Sequence, residues 1–245
     1  MNVSANWWEG PADDFAPPPM ELAPPVAPRR PAPPFLDPRA ASARVELCAR
    51  RALDRPADAR RALEWYGAAR IFCVGIGRPH GLTLEAVAGA IAALSPQVSW
   101  REQTAYAPAI LDAWAQDAPI PGPGYTANKV KAVRILDGAP PLDVLGGPKV
   151  RAFYRCILTG GADPSAVCVD RHAWAIAHGI ERTGSRGGAH APELTAKRYR
   201  EAAAAYVDAA ARLRDAYPAL APILTPARVQ SLTWTHWRER PEDRF

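Results

Sequence analysis

Residues Leu145 to Ala177 read LGGPKVRAFYRCILTGGADPSAVCVDRHAWAIA, and the reading of this stretch decides the fold. It opens on a turn, Gly146-Gly147-Pro148, set directly against Lys149 and Val150. A hairpin of this composition between two helices exposes backbone N–H groups at the start of the second helix, which is a seat for a phosphate. Pro148 suits the first turn of that helix, where its missing N–H costs nothing. An ordinary helix–helix turn followed by a surface lysine has the same sequence, so the fragment alone leaves both readings open. Further on, Val167-Cys168-Val169 is a short apolar piece leading to Asp170. Asp170 is placed to cap a second helix, Arg171 to Ala177, and a capping carboxylate can also face a cleft. Together the turn can hold a phosphate, the lysine can attack, and the carboxylate can steady charge.

Outward from this stretch the pattern is helical. Downstream, a glycine-rich loop spans Gly179 to Gly188. A long alanine-rich helix is predicted from Leu194 to Tyr217, with Tyr199, Tyr206, Val207 and Leu213 toward a core. Thr225-Pro226 starts a last helix carrying Val229, Leu232, Trp234 and Trp237. The two tryptophans are three residues apart and share a face, for core packing or for base stacking. Upstream, Leu84 to Leu94 is apolar on all sides and predicts a buried helix capped by Thr83. It stops at Ser95-Pro96-Gln97. A helix follows from Trp100 to Trp114, with a bend expected at Pro108. Asn128 to Leu136 is a short helix whose Lys129, Lys131 and Arg134 are expected to form a basic face. Nearer the N-terminus a helix begins after Pro38 and breaks at Asp54-Arg55-Pro56, and another runs from Asp58 through Tyr66. Ile71 to Ile76 reads as a buried loop or helix end. Strand signals are nearly absent, so the fold class is all-α.

Residues 1–38 differ from the rest. Proline is dense from Pro11 to Pro38, and each proline fixes φ and removes a donor, so this segment is expected to be a disordered tail. Trp7-Trp8 beside acidic residues is a candidate docking motif or simply a sticky tail. Residues 39–245 are left as one helical domain, long enough to bury a core.

The chain has 245 residues with a net charge of +5, and its pI is about 9.2. That balance suits a polyanionic partner, although arginine-rich chains are often basic without one. The four cysteines are widely spaced with no CxxC pair, so no zinc or iron–sulfur site is expected, and free thiols fit a reducing cytoplasm. No secretory signal and no apolar run long enough for a membrane span are present, so no membrane partner is expected.

The combination resembles the helix–hairpin–helix (HhH-GPD) DNA glycosylase superfamily, which includes endonuclease III and 8-oxoguanine DNA glycosylase. The family's hairpin is matched by Leu145-Gly146-Gly147-Pro148, and Lys149 stands where bifunctional members carry a catalytic lysine. Val169-Asp170-Arg171-His172 matches the family's Val-Asp-x-His segment. Leu94-Ser95-Pro96-Gln97 is similar to its Leu-Ser-x-Gln segment, and Tyr125 to Leu136 to the helix that enters the hairpin. The resemblance spans Thr83 to Ala177 and extends to a branch found in actinobacteria and phages. The hairpin departs from the pattern in lacking the second spaced glycine. Gly160-Gly161-Ala162 is an extra region, and the four-cysteine cluster of endonuclease III is missing.

The resemblance implies a two-lobed helical fold and a cofactor-free monomer acting on double-stranded DNA. It places the protein at the nucleoid or in the cytoplasm of a phage-infected cell. It implies excision of a flipped base, with Asp170 stabilising charge at the sugar C1′ and Lys149 either attacking C1′ or contacting a phosphate. Gly146, Gly147, Val150 and His172 are implied DNA contacts, and Lys129 and Lys131 are candidate contacts from the basic face of their helix. Gln97 either fills the gap left by the base or closes a helix end, and His172 is a packed helix residue or a general base. A base-modifying enzyme on the same fold and a non-catalytic DNA clamp are the alternatives.

Overall fold

The computed structural model describes residues 36–180 and 195–240. The proline-rich tail to residue 35, with Trp7-Trp8, and most of the loop after Gly179 lie outside the described residues. Among the described residues the chain forms eleven α-helices, one 3-10 turn and no strand.

The helix boundaries follow local chemistry. Helix α1, Pro38–Leu53, is capped by Asp37, whose Oδ1 accepts from Arg39 N and Ala40 N. Leu36 is already buried, so the helical body extends slightly ahead of the expected boundary. Pro56 opens α2, Pro56–Leu63, and α3 runs from Trp65–Gly77 into the 3-10 turn Arg78–His80. Thr83 caps α4, Leu84–Leu94, by accepting from Ala86 N at 3.2 Å. Helix α5, Trp100–Ala115, starts in a capping box in which Ser99 and Glu102 satisfy each other's backbone N–H, and it continues through Pro108. Then come α6, Thr126–Leu136; the single turn α7, Pro141–Val144; α8, Pro148–Leu158; α9, Arg171–His178; α10, Ala196–Ala216; and α11, Pro226–Glu239.

The buried side chains fall into two clusters. One joins α1 and α2 to α9, α10 and α11 around Val45, Trp174, Tyr206, Leu232 and Trp237. The other joins α3 to α6 and α8 around α4, whose Val87 to Leu94 are all buried, as its unbroken apolar sequence requires. Each fully buried Ile or Leu here is worth about 1.5–3 kcal/mol of burial. The chain therefore begins in the first cluster, builds the second, and returns to the first. Helix α8 serves both, with Ala152 in the first and Phe153, Cys156 and Ile157 in the second.

Two expectations about faces are corrected, and a third is resolved. Val207 is 41% exposed, because the buried stripe of α10 runs through Tyr199, Ala202, Tyr206, Ala209 and Leu213 and leaves it outside. Ile71 and Val74 are 73% and 47% exposed on α3, whose inward positions are Tyr66, Ala69, Cys73 and Gly77. Trp237 is in the core as expected, but Trp234 is only partly buried and faces a cleft.

Candidate active site

The approach to Asp170 is held from α10. The Tyr199 hydroxyl donates to Val167 O at 2.5 Å and accepts from Val169 N at 3.3 Å. These bonds fix Val167 to Val169, a tight turn closed by Val169 N donating to Val167 O at 3.0 Å, and set where α9 begins. Asp170 caps α9, its Oδ1 accepting from His172 N at 2.9 Å and Ala173 N at 2.8 Å. Its Oδ2 accepts from Trp234 Nε1 at 2.9 Å. One carboxylate thus joins the start of α9 to the side of α11, at a helix end that favours negative charge.

The hairpin is built by α7, Gly146-Gly147 and α8. Gly147 has φ 73, a conformation that glycine adopts freely. The Arg151 guanidinium donates to Leu145 O at 2.8 Å and Leu142 O at 2.7 Å, so the hairpin's inner carbonyls are occupied from below. Outside, a Cβ at Gly146 or Gly147 would meet nothing within 4 Å, and both glycines are exposed. Lys149, in the first turn of α8, is half-buried. The Cys168 thiol lies 3.9 Å from Lys149 O and ties that turn to the residues before Asp170.

Lys149 and Asp170 line one cleft of about 740 Å³ where the two buried clusters meet. Gln97 and His172 line it too. Gln97 is exposed at the turn between α4 and α5 with φ 63, uncommon for a residue with a side chain. His172 stands edge-on to Trp234, ring centres 6.4 Å apart. Gly146, Gly147 and Val150 do not line the cleft; they form the hairpin beside it. Lys129 and Lys131 are also elsewhere, on α6. The expected basic face is reduced to Lys131 and Arg134, three residues apart on α6, because Lys129 is turned roughly 200° from Lys131. Lys129 Nζ turns back to donate to Ile120 O at 3.0 Å and Gly122 O at 2.8 Å, holding the loop before α6.

The cleft also has walls that the sequence reading missed. Trp65 sits at their centre, with ring centres 4.9 Å from Trp100, 6.1 Å from Trp234 and 6.2 Å from Phe153. The Arg238 guanidinium lies over the Trp234 ring at 4.6 Å. Two buried amides, Gln103 and Gln230, also line the cleft, and the Tyr66 hydroxyl donates to Gln230 Oε1 at 2.7 Å. The visible signal was Gln230, a polar residue among the inward positions of α11. Burial pushes the Tyr66 phenol well above its usual range, so it stays a donor. Burial also pushes the Cys168 thiol up to about 12, which removes it as a nucleophile although it lines the cleft.

Among the described residues no three His, Cys, Asp or Glu side chains gather into a group able to hold a metal ion. No described helix is long and apolar enough to cross a membrane. No curated protein and no solved structure gives a significant match to the chain. Residues 47–241 match the model of DUF7178, a family of unknown function, and the chain belongs to that family.

Proposed function

We propose that the protein is a DNA glycosylase-like enzyme of two helical lobes that acts as a monomer on a base flipped out of duplex DNA. The observation that carries this reading is the meeting of Lys149 and Asp170 in one aromatic-walled cleft beside an open Gly-Gly hairpin. The hairpin amides at the start of α8 hold a DNA phosphate, and Gln97 at its turn reaches the gap left by the base. The base enters between the rings, where its π-face stacks. As the C1′–N bond breaks, its electron pair leaves with the base, and a proton reaches the base to neutralise it. Asp170 faces the positive charge left at C1′ and stabilises it without moving, because three N–H donors hold it. Lys149 either supplies the amine that bonds to C1′ or contacts the neighbouring phosphate while water attacks. In the first case ring opening yields a Schiff base that borohydride reduces to a stable adduct.

A purely DNA-clamping protein needs the hairpin but neither the carboxylate nor the aromatic walls. The test is incubation with duplexes carrying a panel of modified bases, read for abasic sites and, with borohydride, for covalent protein–DNA adducts. Abasic sites in at least one duplex support the reading, and adducts lost in Lys149→Gln assign the lysine as the attacking amine. Duplex binding without base release from any substrate contradicts it.

A further inference from the structure

We infer that the cleft has a second compartment beside the seat for the base, and that it accepts a bulky, uncharged, hydroxylated substituent on that base, such as a hexose. This inference rests on the glycosylase-like reading of the same cleft. Asp170, Trp234 and Lys149 line the cavity, and Trp65 stands 6.1 Å from Trp234. Beyond Trp65 the wall continues to Trp100, 4.9 Å from Trp65 and backed by Phe72 at 5.9 Å. Trp100 opens α5, and Gln103 follows one turn later on the same side of the helix. Gln103 is only 5% exposed yet lines the cavity. Its Nε2 donates to Ile91 O at 3.4 Å, and its Oε1 has no partner among the described residues. Gln230, 4% exposed, gives its Oε1 to Tyr66 and leaves its Nε2 without a partner among the described residues. An acceptor from α5 and a donor from α11 thus line the same cavity, each on a side chain anchored through its other amide atom.

Size and polarity narrow the occupant. A volume of about 740 Å³ lies within the range of about 300–1,000 Å³ that holds drug-sized ligands, more than one flat base between two rings requires. An apolar substituent would leave the Gln103 carbonyl unpaired. An anionic one beside Gln103 would meet the like charge of Glu102, its neighbour in the chain, which also lines the cavity and is engaged by Ser99 N at 2.8 Å. A hexose offers C–H faces to indole rings and hydroxyls to both amides.

The experiment compares three otherwise identical duplexes carrying, opposite a mismatched base, one cytosine, one 5-hydroxymethylcytosine, or one 5-hydroxymethylcytosine with glucose on its hydroxyl. Binding is measured by fluorescence anisotropy at fixed salt. The glucosylated duplex should bind about tenfold more tightly than the cytosine duplex. Gln103→Leu should abolish that preference, read as the ratio of glucosylated-duplex to cytosine-duplex affinity within the variant; Trp100→Leu, at a half-buried position, carries the same ratio test if Gln103→Leu does not fold. Equal affinity for all three duplexes, or a preference that survives these substitutions, overturns the inference alone. Failure to bind any duplex at low salt overturns the DNA reading and this inference with it.

Discussion

Helix α8 has a Gly-Gly pair at each end, and the two pairs have opposite surroundings. At its start, Gly146-Gly147 is exposed, and added methyl groups would meet open space. At its end, Gly160-Gly161 is buried. Gly161 O accepts from Thr225 Oγ1 at 2.5 Å, and Gly160 O accepts from the Arg228 guanidinium at 3.2 Å. Arg70 Nε donates to Leu158 O beside them at 3.2 Å. One pair keeps its backbone available to a ligand, while protein donors fill the other and dock α8 on α3 and α11. The dipeptide announces a turn in both places; only the side chains arriving from elsewhere separate a site from a joint. The Gly160-Gly161-Ala162 region, which departs from the glycosylase pattern, has a structural role at that joint.

The contrast can be broken by substitution. Gly161→Val should have the largest effect. Its φ of +79 disfavours a side chain, and a Cβ would lie 3.1 Å from Arg228 Cγ and 3.3 Å from Tyr66 Cβ. The backbone penalty of about 1–2 kcal/mol adds to overpacking, for a total of about 2–4 kcal/mol, read as a fall in Cm with unchanged m-value. Gly147→Ala meets no clash but keeps a φ of 73 with ψ 145, close to a region held almost only by glycine, and should cost about 1–3 kcal/mol. Thr225→Ala removes both the bond to Gly161 O and the cap on Arg228 N, and should cost about 1–2 kcal/mol in the same assay. Gly146→Ala should change stability by less than about 0.5 kcal/mol. It should still weaken duplex binding several-fold at low salt, because its methyl stands in front of the hairpin amides. Equal stability losses at Gly146 and Gly161 would erase the distinction between the two turns.

Helix starts were legible because their causes are local. Thr83, Asp170 and Thr225 each satisfy N–H groups within three residues, and Pro148 needs only its own ring. Helix faces were less legible in alanine-rich segments, where Val207 stands out in sequence but falls outside the buried stripe. Lys129 read as a basic surface residue, because the carbonyls that hold it belong to a loop whose path depends on the packing of α5 and α6. The aromatic walls were hidden for the same reason. Trp65, Trp100, Phe153 and Trp234 come from four helices, and no spacing along the chain brings them together. Lys149 and Asp170 were legible as a pair through the motif, and they do line one cleft.

The most direct test of the account is the rate of abasic-site formation by Asp170→Asn relative to wild type, on whichever modified duplex the wild type cleaves fastest. Asparagine keeps both cap bonds through its single carbonyl oxygen but turns its NH2 toward the Trp234 Nε1–H, so the variant should stay folded at a cost of about 1–3 kcal/mol. Its amide carries no charge to set against the cation at C1′, so the rate should fall by about 10²-fold or more while duplex affinity holds. An equal rate in the two proteins, or no abasic sites from the wild type on any duplex, would contradict the account.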